Sequence, residues 1–318
     1  MNIIRAVTNS RELYRLGYLA LAVAAIGFAS IATATAQQSF KTPEAAADAL
    51  VAAARSGDRQ SVKAVLGPGG MGVVSSGDAV EDNEMRKAFV AAYDAKHAIT
   101  LDGDKSATLV VGQNDYPLPI PLVQNAGTWK FDTAAGREEI LARRIGRDEL
   151  AAIQVCLAYY DAQNEYADMT AKADGLATYA QRIMSQPGKK NGLYWPATAG
   201  APQSPIGEAV AEASQRGYLV GNGEPFHGYR YKILTRQGPN SPGGAHNYIV
   251  NGKMIGGFAL IAYPAEYGNS GIATFLINHT GDIWEKDLGA DTNRIASRMT
   301  SFNPDHTWRK VVDTEEQK

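Results

Sequence analysis

A single cysteine, Cys156, leaves the chain no intramolecular disulfide and no cysteine pair for a zinc site. Charge of one sign is also scarce. The 31 basic and 33 acidic residues balance to −2, without a basic block, and this excludes an extended nucleic-acid-binding surface. After the first 36 residues no apolar run approaches the length of a membrane span. The five histidines, His97, His227, His246, His279 and His306, show no two-ligand spacing on a helix, so no metal site is expected. Ser270 lacks the Gly-x-Ser-x-Gly context of a nucleophile elbow. Gly67-Pro-Gly-Gly-Met-Gly72 lacks the Lys-Ser/Thr ending of a phosphate cradle. Asp287, Asp291 and Asp305 are too irregular for a calcium loop. No cofactor is expected from any of these patterns.

What is present starts at the N-terminus. Arg5, Arg11 and Arg15 precede an uncharged stretch from Leu16 to Ala32, and Ala34-Thr35-Ala36 has the small-x-small form of a cleavage site. The expectation is a signal peptide over residues 1–36 and an exported mature chain starting at Gln37. An uncleaved anchor is the alternative, and only that alternative brings in a membrane. Loss of three Arg and one Glu with this segment takes the formal charge from −2 to −4.

The mature chain divides into residues 37–135 and 136–318. In the first part Thr42 suits an N-cap and Pro43 the first helical position, with Ala46, Leu50, Val51 and Ala54 on one face. A short helix at Ser61–Leu66, a loop at Gly67–Gly72 and a helix around Glu84–Lys96 follow. Four strands are expected at Ala98–Leu101, Ala107–Val111, Ile120–Gln124 and Thr128–Phe131. Helices followed by an antiparallel meander make an α+β domain. With its Trp129-Lys-Phe-Asp132 ending, the order resembles the cone-shaped fold of the nuclear-transport-factor-2 superfamily.

The second part opens with a long helical region whose apolar positions Leu150, Ile153, Leu157 and Tyr160 share one face with Cys156, read as a buried structural thiol. Ile145-Gly146 interrupts the run of charges, and the helical region there is either continuous or hinged. A Gly- and Pro-rich stretch, 187–228, contains a helix around Ser204–Arg216 and irregular points at Trp195-Pro196 and Pro202–Pro205. Strands are expected at Tyr229–Arg236, Asn247–Val250, Phe258–Tyr263, Ile272–Ile277 and Ile283–Lys286, then a helix at Thr292–Met299.

Leu157-Ala-Tyr-Tyr-Asp-Ala-Gln-Asn-Glu-Tyr166, Gly257-Phe-Ala-Leu-Ile-Ala-Tyr-Pro264 and Gly271-Ile-Ala-Thr-Phe-Leu-Ile-Asn278 resemble the helix and strands of pilin-like domains. That resemblance implies a long helix packed on a small antiparallel sheet, without the apolar polymerising helix of a pilin. Four longer blocks are Arg144-Ile-Gly-Arg-Asp-Glu-Leu150, Pro242-Gly-Gly-Ala-His-Asn-Tyr248, Gly256–Gly268 and Trp284-Glu-Lys-Asp-Leu-Gly289. They resemble the exported bacterial family known as domain of unknown function 2950. The resemblance implies a periplasmic address in a Gram-negative envelope and supplies no catalytic residue.

Loop-like sequence in the second part gathers the candidate binding residues Tyr194, Trp195, His246, Tyr248, Glu266 and Tyr267. Tyr and Trp offer large amphipathic area at low entropic cost, which suits an envelope protein or polymer as partner. His246 with Glu266 is also a possible acid–base pair for a hydrolase, as is the concave side of the N-terminal cone. The residues favour a binding protein over an enzyme. They do not fix the oligomeric state.

Overall fold

The computed structural model describes residues 37–198, 200, 203–218 and 223–311, which belong to one compact unit. The expected signal peptide and Pro202 lie outside the described residues. Four helices come first: α1 (Pro43–Ser56), α2 (Arg59–Leu66), α3 (Gly70–Val74) and α4 (Ala79–Ala95). The strands β1 (His97–Leu101), β2 (Ser106–Val111), β3 (Tyr116–Pro117), β4 (Leu122–Asn125) and β5 (Thr128–Phe131) follow, then α5 (Thr133–Asp174) and α6 (Gly207–Gln215). The remaining strands are β6 (Tyr229–Leu234), β7 (Arg236–Gln237), β8 (His246–Asn247), β9 (Ile249–Val250), β10 (Lys253–Met254), β11 (Ala259–Pro264), β12 (Ala273–Asn278) and β13 (Ile283–Asp287). The chain closes with α7 (Thr292–Ala296), β14 (Ser301–Phe302) and β15 (Arg309–Lys310). The architecture is α+β, as the sequence pattern implied.

Local chemistry sets the first elements. Thr42 stands in extended backbone and its hydroxyl accepts the Ala45 N–H at 3.2 Å, while Gly57 ends α1 at φ 67°. Ala46, Leu50, Val51 and Ala54 are buried as a single stripe. That stripe joins two adjoining clusters of core residues over an antiparallel sheet ordered β1-β2-β4-β5, with β3 paired to β2. The loop read at Gly67–Gly72 runs into the short helix α3. Helix α4 starts at Ala79, earlier than its apolar pattern, because the Asp78 carboxylate accepts the N–H groups of Val80 and Glu81.

The second sheet is ordered β15-β13-β12-β11-β6, with every neighbour antiparallel. Ile261 of β11 stands opposite Leu276 of β12 and Lys232 of β6. All six residues of β11 are buried, since α5 and α7 both pack against it. A continuous apolar run is what a strand covered on both faces requires.

Helix α5 takes the continuous one of the two readings and departs from expectation in its buried face. It is one uninterrupted helix of 42 residues, about 63 Å long at 1.5 Å per residue, and Ile145-Gly146 lies inside it without a break. Its buried stripe is Asp148, Ala152, Cys156, Tyr159, Gln163 and Tyr166, whereas Leu150 is 66% exposed and Leu157 36%. Small side chains at Ala152 and Cys156 let the backbone approach β12, and the Glu149 carboxylate fixes the docking by accepting the N–H groups of Ile272 and Ala273, each at 2.9 Å. Burial pushes the Cys156 thiol up to about 12, so it stays protonated and inert, as a structural thiol should. Among the described residues no helix is long and apolar enough to cross a membrane.

Candidate functional site

Helix α4 is weakly buried. Of its 17 residues only Glu81 and Tyr93 are fully covered, so the apolar side chains on its inner side, Phe89 among them, face space that the other elements do not fill. That space is a cavity of ≈ 700 Å³. Leu50, Val62, Leu66, Phe89, Ile120 and Ile140 contribute apolar wall from α1, α2, α4, the β3–β4 connection and α5. Tyr116 and Met85 (each 46% exposed) and Val74 (38%) also line it, and their exposure marks where it reaches solvent.

At the edge formed by Ser75, Ser76, Glu81, Asp82, Arg144 and Arg147, the cavity adjoins a buried polar cluster. Asp78, besides capping α4, accepts from the Tyr218 hydroxyl at 3.0 Å and from the Gly228 N–H at 3.2 Å. Glu81 lies 3.3 Å from Arg147 and 3.2 Å from Arg216. Arg216 also grips Glu84 at 2.7 Å and donates to His227 Nε2 at 3.1 Å. Burial first, and Arg216 second, hold the His227 pKa below its ordinary value. The ring is therefore neutral at neutral pH, with Nε2 accepting and Nδ1–H 3.9 Å from Glu81. His227 adopts φ 50°, which a non-glycine residue takes up only when its surroundings hold it there.

Asp148 is 1% exposed. Its Oδ1 accepts from Arg147 at 3.1 Å, and its Oδ2 is buried without a hydrogen-bond partner, beside Gly228. Burial drives its pKa up to about 7 against the opposing pull of Arg147. Arg144, 8% exposed, donates to the carbonyls of Val73 and Ser75 and to Asn269 Oδ1 at 2.5 Å. Chemically the cluster is a lock: Glu81 and Glu84 are paired with Arg147 and Arg216, and His227 would have to release Arg216 to take a proton at Nε2. No group of three His, Cys, Asp or Glu suited to a metal ion occurs among the described residues.

The residues singled out from sequence are dispersed. Tyr248 is fully buried and donates to Gln237 at 3.1 Å, and Trp195, 5% exposed, packs edge-on to Tyr166. Both belong to the core of the second sheet. Tyr194 is half-buried in a bridge to Met184. Exposed His246 meets the Gly256 carbonyl at 3.1 Å and the Tyr248 ring at 5.6 Å. Glu266 faces another neighbourhood: it accepts from Asn269 at 2.7 Å and lies against Gly77 at the start of α4. Tyr267 is 37% exposed and donates to Asp287 at 3.2 Å. Glu266 thus borders the cavity-edge cluster through Asn269 and Arg144, whereas His246 takes partners in the β8–β10 region.

Asp78, Glu81, Asp148, Arg216, Tyr218 and His227 carry no motif. The signal available was the Arg144–Leu150 block, where a helix places Arg144, Arg147 and Asp148 among its charges. A family model described as "Protein of unknown function (DUF2950)" matches residues 37–311. No curated protein and no solved structure matches the chain.

Proposed function

The chain belongs to the DUF2950 family, and from its cavity we propose that it is an exported binding protein for a small molecule with an apolar body. The observation that carries this reading is the space of ≈ 700 Å³ walled mainly by apolar side chains. Ligand pockets are of roughly 300–1,000 Å³ and combine apolar walls with a few polar groups. The buried ion pairs beside it hold the wall in place, so binding rather than turnover is the function they serve. Export is part of the proposal and rests on the Arg-rich start, the apolar stretch and Ala34-Thr35-Ala36.

The test uses the neutral dye N-phenyl-1-naphthylamine, whose fluorescence rises in apolar surroundings. Saturable binding at one site per chain is expected, and it should be lost in Ala88→Trp, which places an indole into the cavity from an exposed position on α4. Absence of saturable binding, or an Ala88→Trp variant that binds as before, would overturn the reading. Export is checked by cell fractionation with N-terminal sequencing: a periplasmic chain starting at Gln37 supports it, and an intact Met1 in the membrane fraction supports the anchor.

A further inference from the structure

The cavity's charge is one-sided. Five arginines line it, Arg59, Arg86, Arg143, Arg144 and Arg147, against two acids, Glu81 and Asp82. The acids are occupied. Asp82 accepts from the hydroxyls of Ser75 and Ser76 and from the Ser76 N–H, and Glu81 is shared by Arg147 and Arg216. Arg144 is turned onto backbone carbonyls, and Arg86 donates to the Ala54 carbonyl and Asn83.

Arg143 and Arg147 lie at the rim, and although Arg147 Nη2 is paired with Glu81 at 3.3 Å and Asp148 at 3.1 Å, its Nη1 is turned to Met85. They stand one turn apart on α5, where Cβ atoms lie about 5–6 Å from each other on the same face. Their side chains are 47% and 44% exposed. Arg143 stacks over the Tyr116 ring and donates to its hydroxyl, and Arg147 lies 3.2 Å from the Met85 sulfur. Tyr116 and Met85 are the side chains that mark the opening, so two guanidiniums stand where an apolar cavity meets water. Arg143's acidic partner, Glu139, is 54% exposed and is held by a surface pair that contributes little.

We infer that the occupant is a single-chain amphiphile with an anionic head, its tail inside the apolar walls and its carboxylate or phosphate between Arg143 and Arg147. The inference rests on the cavity reading and adds the chemistry of the head. Guanidinium groups match the two-oxygen edge of a carboxylate or phosphate, and at an apolar boundary such contacts are screened less than on open surface. A cationic head would meet like charge there, and a neutral head would leave both guanidiniums without a new partner.

The experiment displaces the bound neutral dye from the full mature chain, stripped of lipid, with laurate, dodecyl phosphate, dodecanol or dodecyltrimethylammonium. Both anions should displace at about tenfold lower concentration than the alcohol, and the cation should be weakest. If one anion is clearly the better, the head is of that type. In Arg143→Gln/Arg147→Gln the anions should weaken about tenfold with dodecanol within about twofold of its wild-type value, and Arg147→Lys should recover part of the loss. Should the double variant fold poorly, the wild-type chain gives a second measurement. Anion affinity should fall between about 0.05 and 0.5 M salt while dodecanol affinity holds. Equal displacement by alcohol and anions, or no displacement by any of the four, overturns this inference and leaves the cavity reading standing. Loss of dye binding itself overturns both.

Discussion

At the scale of single residues, Asp148 is an acid held away from water, 1% exposed. One carboxylate oxygen is paired to Arg147, the other is buried without a partner, and the pKa is raised to about 7. A raised folded-state value means that the folded chain holds the proton more tightly than the unfolded one. The contribution to stability is therefore fully present below the unfolded value near 4 and is lost as pH rises through about 7. The three-unit shift corresponds to on the order of 4 kcal/mol. His227, with its lowered pKa, works in the opposite direction: its contribution is present above the ordinary histidine value and is lost as pH falls below it through the lower folded-state value. Comparison of wild type with Asp148→Asn isolates the aspartate. The variant should match wild type near pH 4 and exceed it in thermal midpoint above pH 7, as followed by circular dichroism across that range. A wild-type excess that grows with pH would show that the ionised form is the favoured one. None of this was legible beforehand, because the partners that bury Asp148 come from distant positions in the chain.

Among the elements, α5 shows most clearly what periodicity can and cannot specify. Its existence was plain from the apolar spacing, but Leu150 and Leu157 lie outside the stripe that meets the sheet. Overlapping stripes on a long helix are separated by what the neighbour can accept, and here the sheet accepts Ala152 and Cys156 at close range. The glycines of α5 show the same dependence on neighbours. A Cβ on Gly146 would meet nothing within 4 Å, so Gly146→Ala should raise stability by about 0.5–1 kcal/mol. A Cβ on Gly136 would lie 2.7 Å from the Ile120 Cα and the Pro119 carbonyl oxygen, and Gly136→Ala should lower stability by about 1–3 kcal/mol. Urea denaturation of the two variants checks both signs.

For the whole molecule, the buried cluster joins residues from Asp78 to Gly228 across sequence separations of up to 150 positions. The α+β class and most strands could be read locally, but ion pairs between α4, α5 and the segment after α6 could not. They predict cooperative unfolding. Variants retaining only Trp129, or only Trp195, Trp284 and Trp308, should give the same urea midpoint by fluorescence; two midpoints would mean that the parts at 37–135 and 136–318 unfold separately. The cavity carries one more consequence through the helix that walls it. With two of 17 residues fully covered, α4 is held to the rest by the pairs of Glu81 and Glu84 with Arg147 and Arg216 more than by close packing beneath it. An occupant beneath it would supply the contacts that the fold leaves unmade, and binding would be registered in α4 as stiffness, its amides exchanging with solvent more slowly.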